Sequence, residues 1–347
     1  MSQASITIDG SLGEGGGQIL RTSVSLSAIT GKPVRVINIR AKRDNPGLRP
    51  QHLTAIQAMA SLFGARTENL KVGADSITFE PSGGFVGQES KFDVGTAGSI
   101  PMILLTVIPA VALTGNRLEL ELVGGTDVRA SPTIDYIRYV VQDVFRSIGI
   151  MFSIDVIRRG YYPNGGGVVR ARINPCLHPD PVDLTTIRSS EPRIASVCSL
   201  LPKHVAERQI TSAIIAMEKQ GIRCRTYSAS LETAMSPGSS ILVYTSSDFG
   251  PFIGGDSIGE LGKPAETVGQ EAARRFIESA SKGVPVDPFL ADMIVLPLAI
   301  ARGRSRYRIA RATSHLRTNL LVASKLTGCR YNISDQSDGT FIVDIEG

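Results

Sequence analysis

The feature that most constrains this chain is an order of strand and helix patterns that returns along its length. The first copy runs strand, glycine-rich turn, helix, strand and helix, at residues 5–9, 13–17, 18–30, 33–40 and 50–63. A second helix pattern near the C terminus repeats the first, since residues 21–31 and 317–328 both begin with Arg-Thr and end with Thr-Gly. We therefore predict three or more copies of one α/β unit.

The same order recurs in the middle of the chain and near its end. The predicted elements are helices at 100–113 and 290–301 and strands at 118–122 and 307–309. Ser131 and Pro132 predict the start of another helix, whose apolar positions continue to Ile148. These patterns predict an α/β (α+β) fold whose large domain contains the repeated units.

A stretch at about 189–282 does not follow that order. It has its own helix, strand and glycine-rich segment, at 204–220, 240–245 and 250–262. We predict a smaller inserted α/β domain at 187–283. The large domain would then comprise residues 1–186 and 284–347.

Composition excludes several classes of protein. With 42% hydrophobic and 20% charged residues, the chain has the composition of a compact globular protein. Its most apolar stretch, 100–113, is too short for a membrane span and contains two prolines, so we expect a buried helix and no membrane partner. The N terminus lacks a secretion signal, which predicts a cytoplasmic location. Four cysteines without a C-x-x-C pair argue against a zinc ribbon or a redox motif.

The net charge of +5 comes from arginine-rich segments such as 40–49 and 302–317. Excess positive charge of this kind suits a polyanionic partner. A basic surface is also found in thermostable proteins, so charge alone leaves both interpretations open.

The turn at residues 13–17 combines four glycines with Glu14. Between a strand and a helix, its backbone N–H groups can cradle a phosphate, although a purely structural turn fits equally well. Glu14 would repel a phosphate unless a divalent cation lay between them, which makes it a candidate metal ligand. The alternative is a carboxylate that interacts with the helix N terminus.

Several arginines and polar side chains follow this turn. Arg21, Arg40 and Arg43 are candidates for bidentate phosphate binding, with Gln51 and His52 as further donors. The alternative is a solvated basic loop around Asn45-Pro46-Gly47.

His315 stands out among the four histidines, which show no metal-ligand spacing. It lies between Ser314 and a basic helix start, with Arg311 and Arg317 nearby. A neutral imidazole among phosphate-binding arginines is a competent nucleophile towards phosphorus, whereas an ordinary surface or core histidine is the alternative.

Segments along nearly the whole chain resemble the RNA 3′-terminal phosphate cyclase family. Arg159-Gly-Tyr-Tyr-Pro-Asn-Gly-Gly-Gly-Val-Val169 is similar to the signature of that family, and Ser314-His-Leu-Arg-Thr-Asn319 to the segment that holds its nucleophile. The other similar segments are 9–21, 39–43, 46–48, 51–55, 96–99, 124–127 and 204–208. The resemblance implies three repeated units of a sheet and two helices, with a smaller domain inserted between the last two units.

The resemblance also implies an ATP-dependent reaction. His315 would accept AMP from ATP, the RNA 3′-phosphate would take the AMP, and the 2′-OH would close a 2′,3′-cyclic phosphate. Mg²⁺ or Mn²⁺ would neutralise charge on the transferring phosphate. The implied partners are ATP and an RNA with a 3′-terminal phosphate, and a homodimer stays an open alternative.

Site residues follow from the same resemblance by matching position. The implied catalytic residues are His315, Arg21, Arg43 and Glu14, the last also as metal ligand. Those for phosphate or RNA are Arg40, Gln51 and Gln18, and those for ATP are Leu105, Pro132, Phe289, Leu290, Ala291, Asp292 and Met293. Pro132 and Phe289 would flank the adenine. Leu105, Phe289 and Met293 replace Gln, Tyr and Gln of some members, which leaves the nucleotide preference open.

Two other functions remain as alternatives. A ribosome-assembly scaffold related to the cyclases would lack the histidine nucleophile, so His315 argues against it. An enolpyruvyl transferase also has repeated α/β units and anion-binding arginines. It needs no adenylated histidine.

Overall fold

In the computed structural model, which describes residues 5–87 and 89–347, the repeated order is visible from the first elements. The first unit comprises β1 (Ile6–Asp9), α1 (Gly17–Thr30), β2 (Val34–Ile37), α2 (Pro50–Phe63), β3 (Arg66–Glu68) and β4 (Ile77–Glu80). The second comprises β5 (Glu89–Asp93), α3 (Ile100–Leu113), β6 (Leu118–Gly124), α4 (Ile134–Tyr136), a π-helical turn (Ile137–Val141), α5 (Gln142–Ser147), β7 (Phe152–Arg158) and β8 (Gly167–Ile173).

The third unit is interrupted. It begins with β9 (Asp183–Leu184), after which the chain forms β10 (Pro192–Ser199), α6 (His204–Glu218), β11 (Thr226–Leu231), β12 (Gly238–Thr245), β13 (Gly254–Ile258) and α7 (Ala265–Ala280). The unit then resumes with α8 (Leu290–Met293), α9 (Val295–Leu298), β14 (Arg304–Ile309), α10 (Ser314–Thr327), β15 (Arg330–Asp335) and β16 (Phe341–Glu346).

Three of the four sheets that the described residues form share one topology. Their strand orders are β1-β2-β4-β3, β5-β6-β8-β7 and β9-β14-β16-β15. In each, the first pair of strands is parallel and the other two pairs are antiparallel. The parallel pair requires a helical crossover, which explains why a helix precedes the second strand of every unit. The predicted fold class of three repeated sheet-and-helix units is confirmed.

The fourth sheet, β11-β10-β12-β13, packs with α6 and α7 around a separate apolar core that includes Ile194, Met217 and Phe276. Because β9 pairs with β14 on the far side of this segment, the segment interrupts the third unit and does not lie between two units. The boundaries 187 and 283 stay a prediction.

The predicted helix at 100–113 is confirmed as the buried α3. The predicted single helix at 290–301 is wrong, because two short helices occur there. Pro297 cannot donate to the carbonyl of Met293, and its ring crowds that carbonyl. Thr133, and not Ser131, caps α4, since its hydroxyl accepts the Tyr136 N–H. No helix within the described residues has the length and apolar character to cross a bilayer.

Candidate active site

One cleft of about 710 Å³ gathers most of the predicted site residues. It lies among the first unit, the N-terminal ends of α8 and α10, and the inserted segment. The predicted residues that line it are Glu14, Gln18, Arg21, Arg40, Arg43, Gln51, Leu105, Pro132, Phe289, Asp292, Met293 and His315. Leu290 and Ala291 do not line it, because both are fully buried in the core.

The glycine-rich turn is closely packed against Thr318 and His52. A Cβ on Gly13, whose φ is +56°, would stand 2.4 Å from the Thr318 hydroxyl of α10. A Cβ on Gly17 would stand 2.3 Å from Nε2 of His52. No side chain caps α1, and its first turn holds no acidic residue. The turn therefore leaves backbone N–H groups available for an anion beside the cleft.

Carboxylates compensate only a small part of the positive charge of the arginines on this side of the cleft. Burial lowers the pKa of Arg21 to about 10, which Asp292 offsets only in part. The pKa of Arg40 is lowered by burial and by its neighbours Arg43 and Arg49. The Nε atoms of Arg40 and Arg43 have no hydrogen-bond partner among the described residues. Such a cluster has the chemistry of an anion site.

Two further donors are oriented by backbone contacts. Nδ1 of His52 accepts the Arg49 N–H at 3.2 Å, so the neutral ring carries its proton on Nε2. Burial, with Arg21, Arg40 and Arg49, lowers the pKa of His52 to about 3 and keeps it neutral. Oε1 of Gln51 accepts a backbone N–H at 3.0 Å, which leaves its amide nitrogen free to donate.

His315 lies in the first turn of α10, just after the capping residue Thr313. Its Nε2 is 2.9 Å from a carboxylate oxygen of Glu14, and its Nδ1 is 3.9 Å from Oδ2 of Asp292. Glu14 also approaches Arg43 at 3.5 Å. The imidazole therefore lies between two carboxylates, at the edge of the arginine cluster.

Asp292 is held in place behind His315. Its backbone carbonyl accepts a hydrogen bond from the side-chain amide of Asn319. The oxygen of that amide accepts a hydrogen bond from the Thr22 hydroxyl. Burial raises the pKa of Asp292 to about 7, although Arg21 opposes the shift. This carboxyl can therefore change its protonation near neutral pH beside the histidine.

The other end of the cleft is apolar. Met102 and Leu105 of α3 lie there with Met293, Leu296 and Phe289. Phe289 is 43% exposed, and the Arg275 guanidinium lies 5.8 Å from the centroid of its ring. An exposed ring at the edge of a cleft is suited to stacking on a planar ligand.

The inserted segment contributes one wall of the cleft, which no sequence motif predicted. The residues of this wall are Asp256, Ser257, Ile258, Glu260, Lys263, Glu271 and Arg275. Its cations are compensated, since Lys263 pairs with Glu271 and Arg275 with Asp256. The glycine-rich stretch at 250–262 was the only signal for this wall, and it pointed to no particular side chain.

The segment at 159–169 does not line the cleft. Arg159 is fully buried and bonds the carboxylates of Asp127, Asp135 and Glu232. The backbone N–H of Arg159 also donates to the carbonyl of Thr233, and this bond joins the second unit to the inserted segment. The most recognisable motif of the sequence is therefore a structural junction.

Within residues 5–87 and 89–347, no three His, Cys, Asp or Glu side chains are grouped to hold a metal ion. Glu14 is the single predicted ligand. Mg²⁺ fits a site of this kind, because it commonly takes one or two carboxylates and completes its shell with water and substrate phosphates.

A histidine between two carboxylates, beside uncompensated arginines and an apolar pocket, defines an enzyme site for phosphate chemistry on a nucleotide. A family model described as RNA 3′-terminal phosphate cyclase matches residues 12–333. The chain belongs to this family.

Relatives described as RNA 3′-terminal phosphate cyclase cover nearly the whole chain. The relative from Pyrobaculum aerophilum is 41% identical over 348 residues, which cover 99% of this chain and 98% of the relative. The one from Methanopyrus kandleri is 43% identical over 326 residues and 92% of each chain. The one from Pyrococcus furiosus is 42% identical over 328 residues and 93% of each.

Proposed function

We propose that this chain uses ATP to convert the 3′-terminal phosphate of an RNA into a 2′,3′-cyclic phosphate, as a ligase-type enzyme of RNA processing. The observation that carries the proposal is the position of His315, whose Nε2 faces Glu14 at the edge of the arginine cluster. A scaffold would gain nothing from a nucleophile surrounded by phosphate-binding groups.

Three displacements at phosphorus complete the reaction. Nε2 of His315 attacks the α-phosphorus of ATP, forming a P–N bond as the bond to pyrophosphate breaks. An oxygen of the RNA 3′-phosphate then displaces the histidine from the AMP phosphorus. Finally the 2′-OH loses its proton and attacks the 3′-phosphorus, and AMP leaves with its bridging oxygen.

Asp292 controls which nitrogen of His315 attacks. The carboxylate lies on the Nδ1 side of the ring, at 3.9 Å. A proton kept on Nδ1 leaves the lone pair of Nε2 directed into the cleft, which makes that nitrogen the nucleophile.

Arg21, Arg40 and Arg43 bind the phosphates of ATP and the RNA end, with Gln18 and Gln51 as further donors. Among residues 5–87 and 89–347, the one ion pair of these arginines is the 3.5 Å contact of Arg43 with Glu14. Preorganised donors of this kind stabilise the charge that develops during transfer.

Glu14 would hold a Mg²⁺ or Mn²⁺ ion together with oxygens of the phosphates. The ion, when bound, neutralises charge on the transferring phosphate. A carboxylate oxygen of Glu14 also lies 2.9 Å from Nε2 of His315, so Glu14 connects the metal position with the nucleophile.

The nucleoside of ATP occupies the apolar end of the cleft, with Pro132 and Phe289 on either side of the base. Leu105 and Met293 offer the base no hydrogen bond, so stacking and shape determine affinity there. Leu290 and Ala291 act through their buried packing behind Phe289 and Asp292. A cytoplasmic location and a homodimer stay predictions.

The test is incubation with ATP labelled at the α-phosphate and Mg²⁺ or Mn²⁺, followed by addition of an RNA 3′-phosphate. We expect acid-labile, base-stable label on the wild type, transferred to RNA, and none on His315→Ala. The matched control is His178→Ala, which alters an exposed histidine outside the cleft and should retain the label. No label on the wild type would refute the histidine mechanism and favour the scaffold or the enolpyruvyl transferase.

A further inference from the structure

Asp287 joins three parts of the molecule, although it does not line the cleft and is fully buried. Its Oδ2 accepts from the Tyr136 hydroxyl at 2.7 Å and from the Gly254 N–H at 2.9 Å. Its Oδ1 accepts from the N–H groups of Phe289 at 2.9 Å and Leu290 at 3.0 Å. One carboxylate thus ties together α4, β13 of the inserted sheet and the start of α8.

A second carboxylate ties the same strand to the segment that carries Pro132. Oδ2 of Asp256, on β13, accepts the Thr133 N–H at 2.7 Å. Thr133 directly follows Pro132, which lines the cleft. Strand β13 is therefore hydrogen-bonded both to the segment that carries Pro132 and, through Asp287, to the segment that carries Phe289.

The contact between β13 and α4 leaves no room for adjustment. A Cβ on Gly254 would lie 2.5 Å from the Tyr136 ring and 2.9 Å from a methyl carbon of Val140. The strand and the helix are therefore in direct van der Waals contact, and the strand acts as a rigid spacer.

We propose that β13 sets the width of the base slot between Pro132 and Phe289, and that Asp287 is a positioning residue for nucleotide binding. The inserted domain then determines affinity for the nucleoside without contributing to phosphate binding. This inference rests on the proposed function in one respect, the placement of the base in that slot.

The test compares two ligands on the full chain by titration calorimetry. One is α,β-methylene ATP, which cannot transfer AMP to His315, and the other is inorganic tripolyphosphate, which lacks a nucleoside. Asp287→Asn places an amide where two pairs of donors converge, so at least one pair loses its acceptor. We expect the Kd of α,β-methylene ATP to rise about tenfold or more. The Kd of tripolyphosphate should change less than about twofold, because the arginine cluster is untouched.

Asp143→Asn is the matched control. Asp143 is a buried carboxylate at the same junction, where it accepts from the Ser246 hydroxyl at 3.1 Å, but it lies outside the cleft. We expect neither Kd to change in this variant. If Asp287→Asn does not fold, Tyr136→Phe removes one of the four hydrogen bonds and should weaken only the nucleotide.

Three results would overturn the inference: unchanged nucleotide affinity, equal weakening of both ligands, or the same nucleotide loss in Asp143→Asn. These binding measurements need no catalytic turnover. A wild type that binds both ligands but never carries AMP would refute the proposed function and leave the spacer role of β13 intact.

Discussion

Arg159 and Arg21 lie in two regions that treat a guanidinium in opposite ways. Arg159 contacts Asp127 at 3.3 Å, Asp135 at 2.8 Å and Glu232 at 2.8 Å. Burial alone would lower its pKa, but these carboxylates outweigh burial and raise it well above the ordinary value. Arg21 forms no ion pair among the described residues, and burial lowers its pKa to about 10.

This difference distinguishes an arginine that stabilises the fold from an arginine that binds a ligand. A buried charge surrounded by partners is satisfied and holds elements together. A charge left without a partner costs free energy in the isolated protein, and a bound phosphate repays that cost. The conspicuous arginine of the 159–169 motif is therefore structural, whereas Arg21 belongs to the ligand site.

Replacing Arg159 by Met should produce the largest change in stability. The substitution leaves Asp127 buried without its cation and Asp135 with Arg138 alone, so the free energy of unfolding should fall by about 3–5 kcal/mol. Denaturant unfolding monitored by circular dichroism measures this loss. A loss below about 1 kcal/mol would mean that the two arginines are not energetically different.

Replacing Arg21 by Gln should lower the activity without lowering the stability. The rate of AMP transfer to His315 should fall about 10²- to 10³-fold, as for loss of a preorganised donor. The free energy of unfolding should not decrease, because an uncompensated charge has been removed. Arg21→Lys is the control that keeps the charge but loses the planar fork, and it should recover only part of the rate. A destabilised, fully active Arg21→Gln would contradict the comparison.

A bound anion should supply the negative charge that compensates Arg21. Inorganic tripolyphosphate at about 100 times its Kd should stabilise the wild type by about 2.7 kcal/mol. Arg21→Gln should show a smaller gain at the same concentration. Thermal unfolding with and without the anion gives both values, and an equal gain in both proteins would place the anion elsewhere.

The pH dependence of stability should reveal Asp292, the buried carboxyl whose charge acts on Arg21. Its pKa is raised from 3.8 to about 7, so the folded state binds the proton more tightly than the unfolded state. Between these values the stability of the wild type relative to Asp292→Asn should fall as pH rises. The slope should be at most about 1.4 kcal/mol per pH unit. A flat difference would show that the carboxyl ionises normally.

Much of the fold followed from local patterns. The predicted helix at 50–63 coincides with Pro50–Phe63, and that at 100–113 with Ile100–Leu113, since apolar periodicity and helix-ending residues act over a few positions. The predicted helix at 290–301 was wrong because it is interrupted at Ile294, three residues before Pro297. Most predicted site residues line one cleft because their motifs lie at the turns and helix starts of repeated units.

By itself the sequence determined the repeated α/β order, the family resemblance and the identity of His315 as the candidate nucleophile, because these depend on residue types at short spacing. Only the tertiary structure decided which arginine is neutralised and which is left for a ligand. Arg159 pairs with Glu232 at a separation of 73 residues, while Arg21 forms no ion pair within the part of the chain that the structure describes. The tertiary structure alone also brought β13 beside Phe289. Charge compensation and the position of the cleft wall depend on distances between residues in space. Separation along the chain does not give those distances.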